Sequence, residues 1–227
     1  MLTAILFDLD GTIVNTDPIH YQVWQEMLTG YGINIDEKFY QTRISGRTNP
    51  QIIEDLLPQL SPEDNAKFAE DKEACFRQRA RNILKPLNGF SELIAWTDAH
   101  QLKRALVTNA PRANVHFMLE VLNIKEIFGT VVMADDCIAG KPHPAPYQTA
   151  LDKLGITPEQ AIALEDSPSG IRSAVAAGIR TVGITTTHDP KHLLEIGAFM
   201  TAPDFTDTHL WTLLNSEVKH PLLSVDS

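Results

Sequence analysis

Asp8 and Asp10 stand one residue apart, directly after the apolar run Ala4–Phe7 and directly before Gly11 and Thr12. Such a run reads as a short buried strand that delivers both carboxylates at its carboxyl end. In open α/β sheets that end is where ligands bind. Two like charges this close repel unless a cation joins them. The chemistry they suit is a hard, oxygen-loving metal ion and, through it, a phosphate. A carboxylate with an unperturbed pKa near ~4 is ionised at neutral pH and available as a nucleophile. An anion attacking an anionic phosphoryl group needs positive charge nearby: at ~4 Å two unit charges repel by about 4 kcal/mol at an effective dielectric of ~20.

Three further features fall at or beyond predicted strand ends: Thr108-Asn109, Lys141 within Gly140-Lys141-Pro142-His143-Pro144, and Glu165-Asp166. Parallel strands point the same way, so all of them can meet Asp8 and Asp10 in one crevice. Lys141, in a loop stiffened by prolines, is a fixed source of positive charge. The Thr108 hydroxyl and the amides opening the next helix, with Asn109 in the turn, make a phosphate cradle. Gly11 lets the backbone turn tightly and aim N–H groups at phosphate. Thr12 either caps that turn or touches substrate. His143 reads as loop scaffolding, and Ser167 and Ser169 as helix caps.

The elements that must position these residues follow from periodicity. Strand-like runs occur at Thr3–Phe7, Arg104–Thr108, Thr130–Met133, Ala161–Glu165 and Arg180–Ile184. Helix-like stretches alternate with them at Gly89–His100, Arg112–Leu122, Pro144–Leu154 and Ser169–Ala177, with Gly and Pro at the joins. Alternation implies right-handed crossovers and a doubly wound parallel sheet, a Rossmann-like α/β core. A weaker unit, Ala198–Thr201 then Asp207–Leu214, closes one edge, and the tail after Asn215 reads as frayed.

Residues 16–84 break the alternation and are helical by pattern. One helix starts at Asp17-Pro18, a second at Asn49-Pro50 with Asn49 as N-cap, a third after Ser61. The expected organisation is therefore an α/β core of residues 1–15 and 85–227 with a helical cap of residues 16–84, hanging over the end of the first strand. On the first cap helix Asp17, His20 and Trp24 share a face. His20 either reaches a sugar oxygen or is solvated. Arg43 and Arg47 flank Ser45-Gly46, and the Arg47 guanidinium suits a second phosphate or a carboxylate. Arg77, Arg79 and Arg81 read as a solvated helix face.

Together these motifs resemble the haloacid dehalogenase superfamily, in the order Asp8-Leu-Asp10-Gly-Thr12, Thr108, Lys141 and Leu164-Glu-Asp166-Ser-Pro-Ser-Gly170. The resemblance spans nearly the whole chain, the helical cap included. It implies Mg²⁺ held by Asp8, the backbone carbonyl of Asp10 and Asp166, with Glu165 reaching the ion directly or through water. It also implies that Asp8 attacks phosphorus, and that Asp10 serves as general acid and then general base. The expected activity is Mg²⁺-dependent hydrolysis of a small phosphomonoester through an aspartyl phosphate. The alternative is a phosphosugar mutase resembling β-phosphoglucomutase, which the Thr16–His20 spacing favours. Thr12, where mutases usually carry Val, and an arginine closer to the loop glycine depart from it. A dehalogenase needs neither an acid at Asp10 nor magnesium. A receiver-like signalling domain is shorter and has no helical insertion.

Composition narrows the partners. The 227 residues are 43% hydrophobic, enough for a real core, and the net charge of −10 disfavours nucleic acid. A small phosphorylated metabolite remains compatible, because a local cationic pocket overrides the global sign. Cys75 and Cys137 form neither a disulfide framework nor a zinc pattern and read as reduced thiols, which points to the cytoplasm. No signal peptide is expected, and no apolar run approaches the ~20 residues needed to cross a bilayer. Oligomeric state leaves no trace in the pattern.

Overall fold

A computed structural model describes residues 1–218. Six strands pair in parallel in the order β3-β2-β1-β4-β5-β6. They are β1 (Ala4–Phe7), β2 (Lys103–Thr108), β3 (Thr130–Met133), β4 (Ala161–Glu165), β5 (Arg180–Ile184) and β6 (Met200–Ala202). Helices α1 (Asp17–Thr29), α2 (Glu37–Arg43), α3 (Asn49–Leu56) and α4 (Pro62–Ala80) lie between β1 and α5 (Phe90–Ala99). Helices α6 (Arg112–Val121), α7 (Ala145–Leu154), α8 (Pro168–Ala176), α9 (Pro190–Glu195) and α10 (Thr208–Glu217) alternate with the remaining strands. This is the doubly wound α/β sheet expected.

β1 is apolar throughout because both of its faces are covered. Ile5 and Phe7 pack into one buried cluster with Phe90 of α5, Val115 of α6 and Leu210 of α10. Ala4 and Leu6, pointing the other way, pack with Tyr147 of α7 and Ala174 of α8. The chain winds from β1 toward β3 on one side and from β4 toward β6 on the other. The crevice at that reversal lies beyond the carboxyl end of β1. Register sets what faces it: Phe7 pairs with Leu106 on β2 and Leu164 on β4. The next residues of all three strands therefore emerge side by side: Asp8, Val107-Thr108 and Glu165-Asp166.

The inserted helices have their own apolar centre around Trp24, Tyr40, Ile52, Ile53 and Phe68. Ile19, Val23 and Phe76 belong instead to the cluster on the sheet. Ser61 caps α4 by accepting the Asp64 amide at 3.1 Å. The expected N-cap of α3 is corrected: Thr48, not Asn49, holds that position, and the Gln51 side chain accepts the Thr48 amide at 3.3 Å. The reason is that the Asn49 amide turns inward to donate to Glu73. Likewise Ser167, not Ser169, caps its helix, accepting the Gly170 amide at 3.0 Å. The expected fraying after Asn215 is also corrected. α10 continues to Glu217, whose carboxylate accepts from Arg180 at 2.9 Å. The rest of that tail lies outside the described residues.

Candidate active site

Lys141 is the hub of the site. Its ammonium donates to Asp8 Oδ1 at 2.6 Å, to the Val107 carbonyl at 2.7 Å and to Glu165 Oε1. Glu165 is wholly buried, and the Tyr147 hydroxyl donates to the same Oε1 at 2.7 Å. Lys141 arrives from a loop well past β3, and Asn109 holds that loop. The Asn109 amide donates to the Lys141 carbonyl at 3.0 Å, and its oxygen accepts the Lys141 N–H at 2.9 Å. The Asn109 side chain is thus committed to placing Lys141 rather than turned to phosphate. The Thr108 hydroxyl accepts the Ala110 amide at 3.0 Å at the start of α6, where the expected cradle lies.

Asp166 completes the acidic face. It accepts from the Thr187 hydroxyl, and the Thr12 hydroxyl lies 3.4 Å away. Thr12 therefore faces a carboxylate rather than capping a helix. Gly11 has φ +81°, and a Cβ there would sit 2.0 Å from Asp166 Oδ2. Only glycine admits both that backbone and that approach. Thr186 donates to the Gly11 carbonyl and ties the loop after β5 to the loop after β1. Asp10 accepts from Thr16 at 2.7 Å.

One ammonium faces three buried carboxylates: Asp8, Glu165 and Asp166 each offer an oxygen within 4.8 Å of the others. Burial, with the neighbouring acids, pushes the Asp8 carboxyl well up from its usual range despite Lys141. Burial and the Glu165 charge push Asp166 up to about 8. Burial alone would lower the Lys141 pKa, but the Asp8 and Glu165 charges outweigh it and raise it. An all-oxygen donor set short of positive charge fits a hard divalent cation. Because protons compete for the same oxygens, Mg²⁺ should stabilise the protein more as these groups ionise. Thermal melts with and without about 5 mM Mg²⁺ are expected to diverge progressively between roughly pH 6 and 8. A pH-independent gap would contradict the assignment.

The inserted helices supply the opposite wall of a cavity of about 610 Å³ that takes in Asp8, Asp10, Thr108, Lys141 and Asp166. Its size is that of a small-molecule site. His20 is partly buried at the cavity wall. It stacks on Phe76 at 4.1 Å between centroids, its Nδ1 lies 2.9 Å from Lys72 Nζ, and its Nε2 lies 3.9 Å from Asp10. A lysine ammonium only donates, so Nδ1 accepts and a neutral ring carries its proton on Nε2, facing Asp10. Asp17 accepts from Tyr40 at 2.8 Å, and Trp24 is buried in the insert with Lys72 over its ring. Arg47 lines the cavity, but its guanidinium also donates to Asp55 at 2.9 Å and to two backbone carbonyls. Arg43 shares the same Asp55 oxygen at 3.0 Å.

The solvated arginine face is corrected in part. Arg77 turns inward and donates to Asn114 at 2.7 Å, while Arg79 pairs with Glu26 and Arg81 lies over Phe117. The sequence reading missed Lys72, Glu73, Asn114, Tyr147 and Thr187. Each sits within a helix or loop whose local pattern carries no sign of a partner far along the chain.

Residues 5–184 match the family model described as haloacid dehalogenase-like hydrolase. A validoxylamine A 7'-phosphate phosphatase of Streptomyces hygroscopicus subsp. limoneus is 30% identical over 86% of this chain and 91% of its own. A phosphorylated carbohydrates phosphatase of Thermotoga maritima is 29% identical over 87% and 92% respectively. A crystal structure of a family IA, variant 3 hydrolase from Entamoeba histolytica superposes with a TM-score of 0.86 at 29% identity, covering 95% of this chain and 99% of that one. The match runs through β1, the inserted helices and β5, and so takes in Asp8, Asp10, Lys141 and Asp166. The chain belongs to the haloacid dehalogenase-like hydrolase family.

Proposed function

We propose that this protein is a Mg²⁺-dependent phosphatase of small phosphorylated carbohydrates, with Asp8 as nucleophile. The observation that carries the reading is the Lys141 ammonium bridging Asp8 and Glu165 at the centre of a buried acid cluster. Asp8, Glu165, Asp166 and the Asp10 backbone carbonyl are the groups that would hold the ion. When bound, it neutralises charge and polarises the phosphoryl oxygens.

The rest of the chemistry belongs to the chain. An Asp8 oxygen forms a bond to phosphorus as the ester P–O bond breaks. Asp10 gives its proton to the departing alkoxide. It then takes a proton from water, which attacks phosphorus, frees the Asp8 carboxylate and yields inorganic phosphate. Lys141 offsets the charge repulsion between nucleophile and phosphate, and Thr108 with the first amides of α6 binds the phosphoryl oxygens. We infer that residues 16–84 act as a cap that excludes water and recognises the organic group. The Thermotoga maritima relative, named a phosphorylated carbohydrates phosphatase, supports that substrate class.

Among the described residues no helix is long and apolar enough to cross a membrane. The free thiols of Cys75 and Cys137 fit a reducing cytoplasm. The purified protein is expected to release phosphate from a panel of hexose and pentose phosphates only when Mg²⁺ is added. It should prefer them to phosphoglycolate and nucleoside monophosphates. Metal-independent release, or none, would refute the reading. Because the Thr16–His20 spacing also suits a phosphosugar mutase, the same panel run with a coupled isomerisation assay separates hydrolysis from phosphoryl return.

A further inference from the structure

Two buried polar side chains and a half-buried arginine join the inserted helices to the sheet domain at a point the chemistry above does not use. Asn114, on α6, is 2% exposed, and Glu73, on α4, is 8% exposed. The Asn114 amide donates to Glu73 Oε2 at 2.6 Å, and its oxygen accepts from Arg77 Nη1 at 2.7 Å. A carboxylate only accepts and a guanidinium only donates, so the two fix the Asn114 carboxamide in one orientation. Glu73 and Arg77 are one turn apart on α4 and grip it from the same helix face.

The other Glu73 oxygen gathers the insert itself. It accepts from Lys72 at 2.8 Å and from Asn49 of α3. Lys72 in turn contacts His20 of α1, which faces Asp10. Burial alone would raise the Glu73 pKa, but the Lys72 charge and the hydrogen bonds from Lys72 and Asn49 bring it down to about 2, so the carboxylate stays ionised at working pH. One side chain of the sheet domain is thereby linked, through one carboxylate, to three of the four inserted helices and to Asp10.

We propose that Asn114 latches the inserted helices onto the sheet domain, and that Glu73 is a positioning residue which transmits that latch through Lys72 and His20 to Asp10. Seating α4 on α6 and presenting Asp10 to the leaving group are then one event. The inference deepens the phosphatase reading and rests on it for its kinetic part. Its physical warrant is that a charge-assisted hydrogen bond aligned inside a buried site is stronger than a neutral one and geometrically specific.

The experiment compares two leaving groups. A sugar alkoxide needs a proton from Asp10 to depart, and p-nitrophenolate does not. Asn114→Ala and Glu73→Gln are each expected to lower kcat for glucose 6-phosphate by roughly 10-fold or more relative to the change for p-nitrophenyl phosphate, with KM moved little. The double variant should be no worse than the poorer single one, because coupled groups are not additive. Equal losses on both substrates, retained kcat on the sugar phosphate, or additive losses would overturn the positioning role.

Solution scattering without substrate tests the latch independently of activity. Asn114→Ala should be more expanded than wild type at an unchanged melting temperature, and an identical profile would overturn it. Arg77→Ala, at a half-buried position, repeats the test should Asn114→Ala fail to fold. A wild-type protein inactive on both esters would sink the phosphatase reading and with it the kinetic role of Glu73. The scattering result would still decide the latch.

Discussion

Asp8→Asn is expected to cost at least ~100-fold in turnover of any phosphomonoester, because an amide oxygen is a far poorer nucleophile than a carboxylate. The substitution changes almost nothing else. Asn keeps an oxygen to accept from Lys141 and fits the space at the end of β1. The metal-free variant should melt no lower than wild type. The folded-state pKa of Asp8 is raised, chiefly by burial and then by the Glu165 and Asp166 charges, with Lys141 opposing. A group whose folded pKa lies above its unfolded value contributes stability below the unfolded value and loses it as pH rises through the folded one. At neutral pH and above, ionising Asp8 therefore works against the metal-free fold, and a neutral amide removes that cost. Phosphate release and melting temperature measured on one preparation check both halves. Turnover within about tenfold of wild type would end the case for Asp8 as nucleophile. Loss of activity with a collapsed melting temperature would reduce Asp8 to a structural role.

The acids of this site were legible in the chain because each sits where a strand ends. Asp8 follows the Ala4–Phe7 run, and Glu165 closes Ala161–Glu165. Strand periodicity and the parallel rule suffice to bring them together. Lys141 was legible only through its proline-flanked loop, and nothing local shows that Asn109 holds that loop by two hydrogen bonds. The inserted helices were visible as a break in alternation, yet their inward polar residues were not. Arg77 sits at alternate positions with Arg79 and Arg81, a pattern that reads as exposed. Its inward turn depends on Asn114, a residue far along the chain whose partners only the packing of α4 on α6 reveals. His20 shows the same limit. A lone histidine on a helix reads as solvated until Phe76 and Lys72, both from α4, close around it. Short-range pattern locates the groups attached to strand ends, and it fails for polar groups whose partners come from another layer.

Lys141→Ala is expected to be the most damaging single change to the fold as well as to activity. The ammonium is the partner of two carboxylates, 2% exposed on its own side chain and facing side chains of Asp8 and Glu165 that are 10% and 0% exposed. Removing it leaves those charges buried and uncompensated beside Asp166. Breaking a buried pair by deleting one partner costs about 3–5 kcal/mol. For a protein of this size that is a drop of roughly 10 °C in melting temperature. The Tyr147 and Ser167 hydroxyls still donate to Glu165, so that acid keeps partners, whereas Asp8 loses the ammonium it pairs with. Two signs in the result distinguish an electrostatic cause from lost packing. The deficit should shrink as pH falls, because the orphaned acids, whose pKa values burial already holds up and the loss of Lys141 raises further, take up protons. It should also shrink when Mg²⁺ is added, because a divalent ion at Asp8, Glu165 and Asp166 supplies the missing charge. Turnover should stay depressed by at least ~100-fold even in saturating Mg²⁺, since no other cation of the chain faces Asp8 among the described residues. A variant that melts like wild type at neutral pH without metal would show that Lys141 does not hold the acid cluster together.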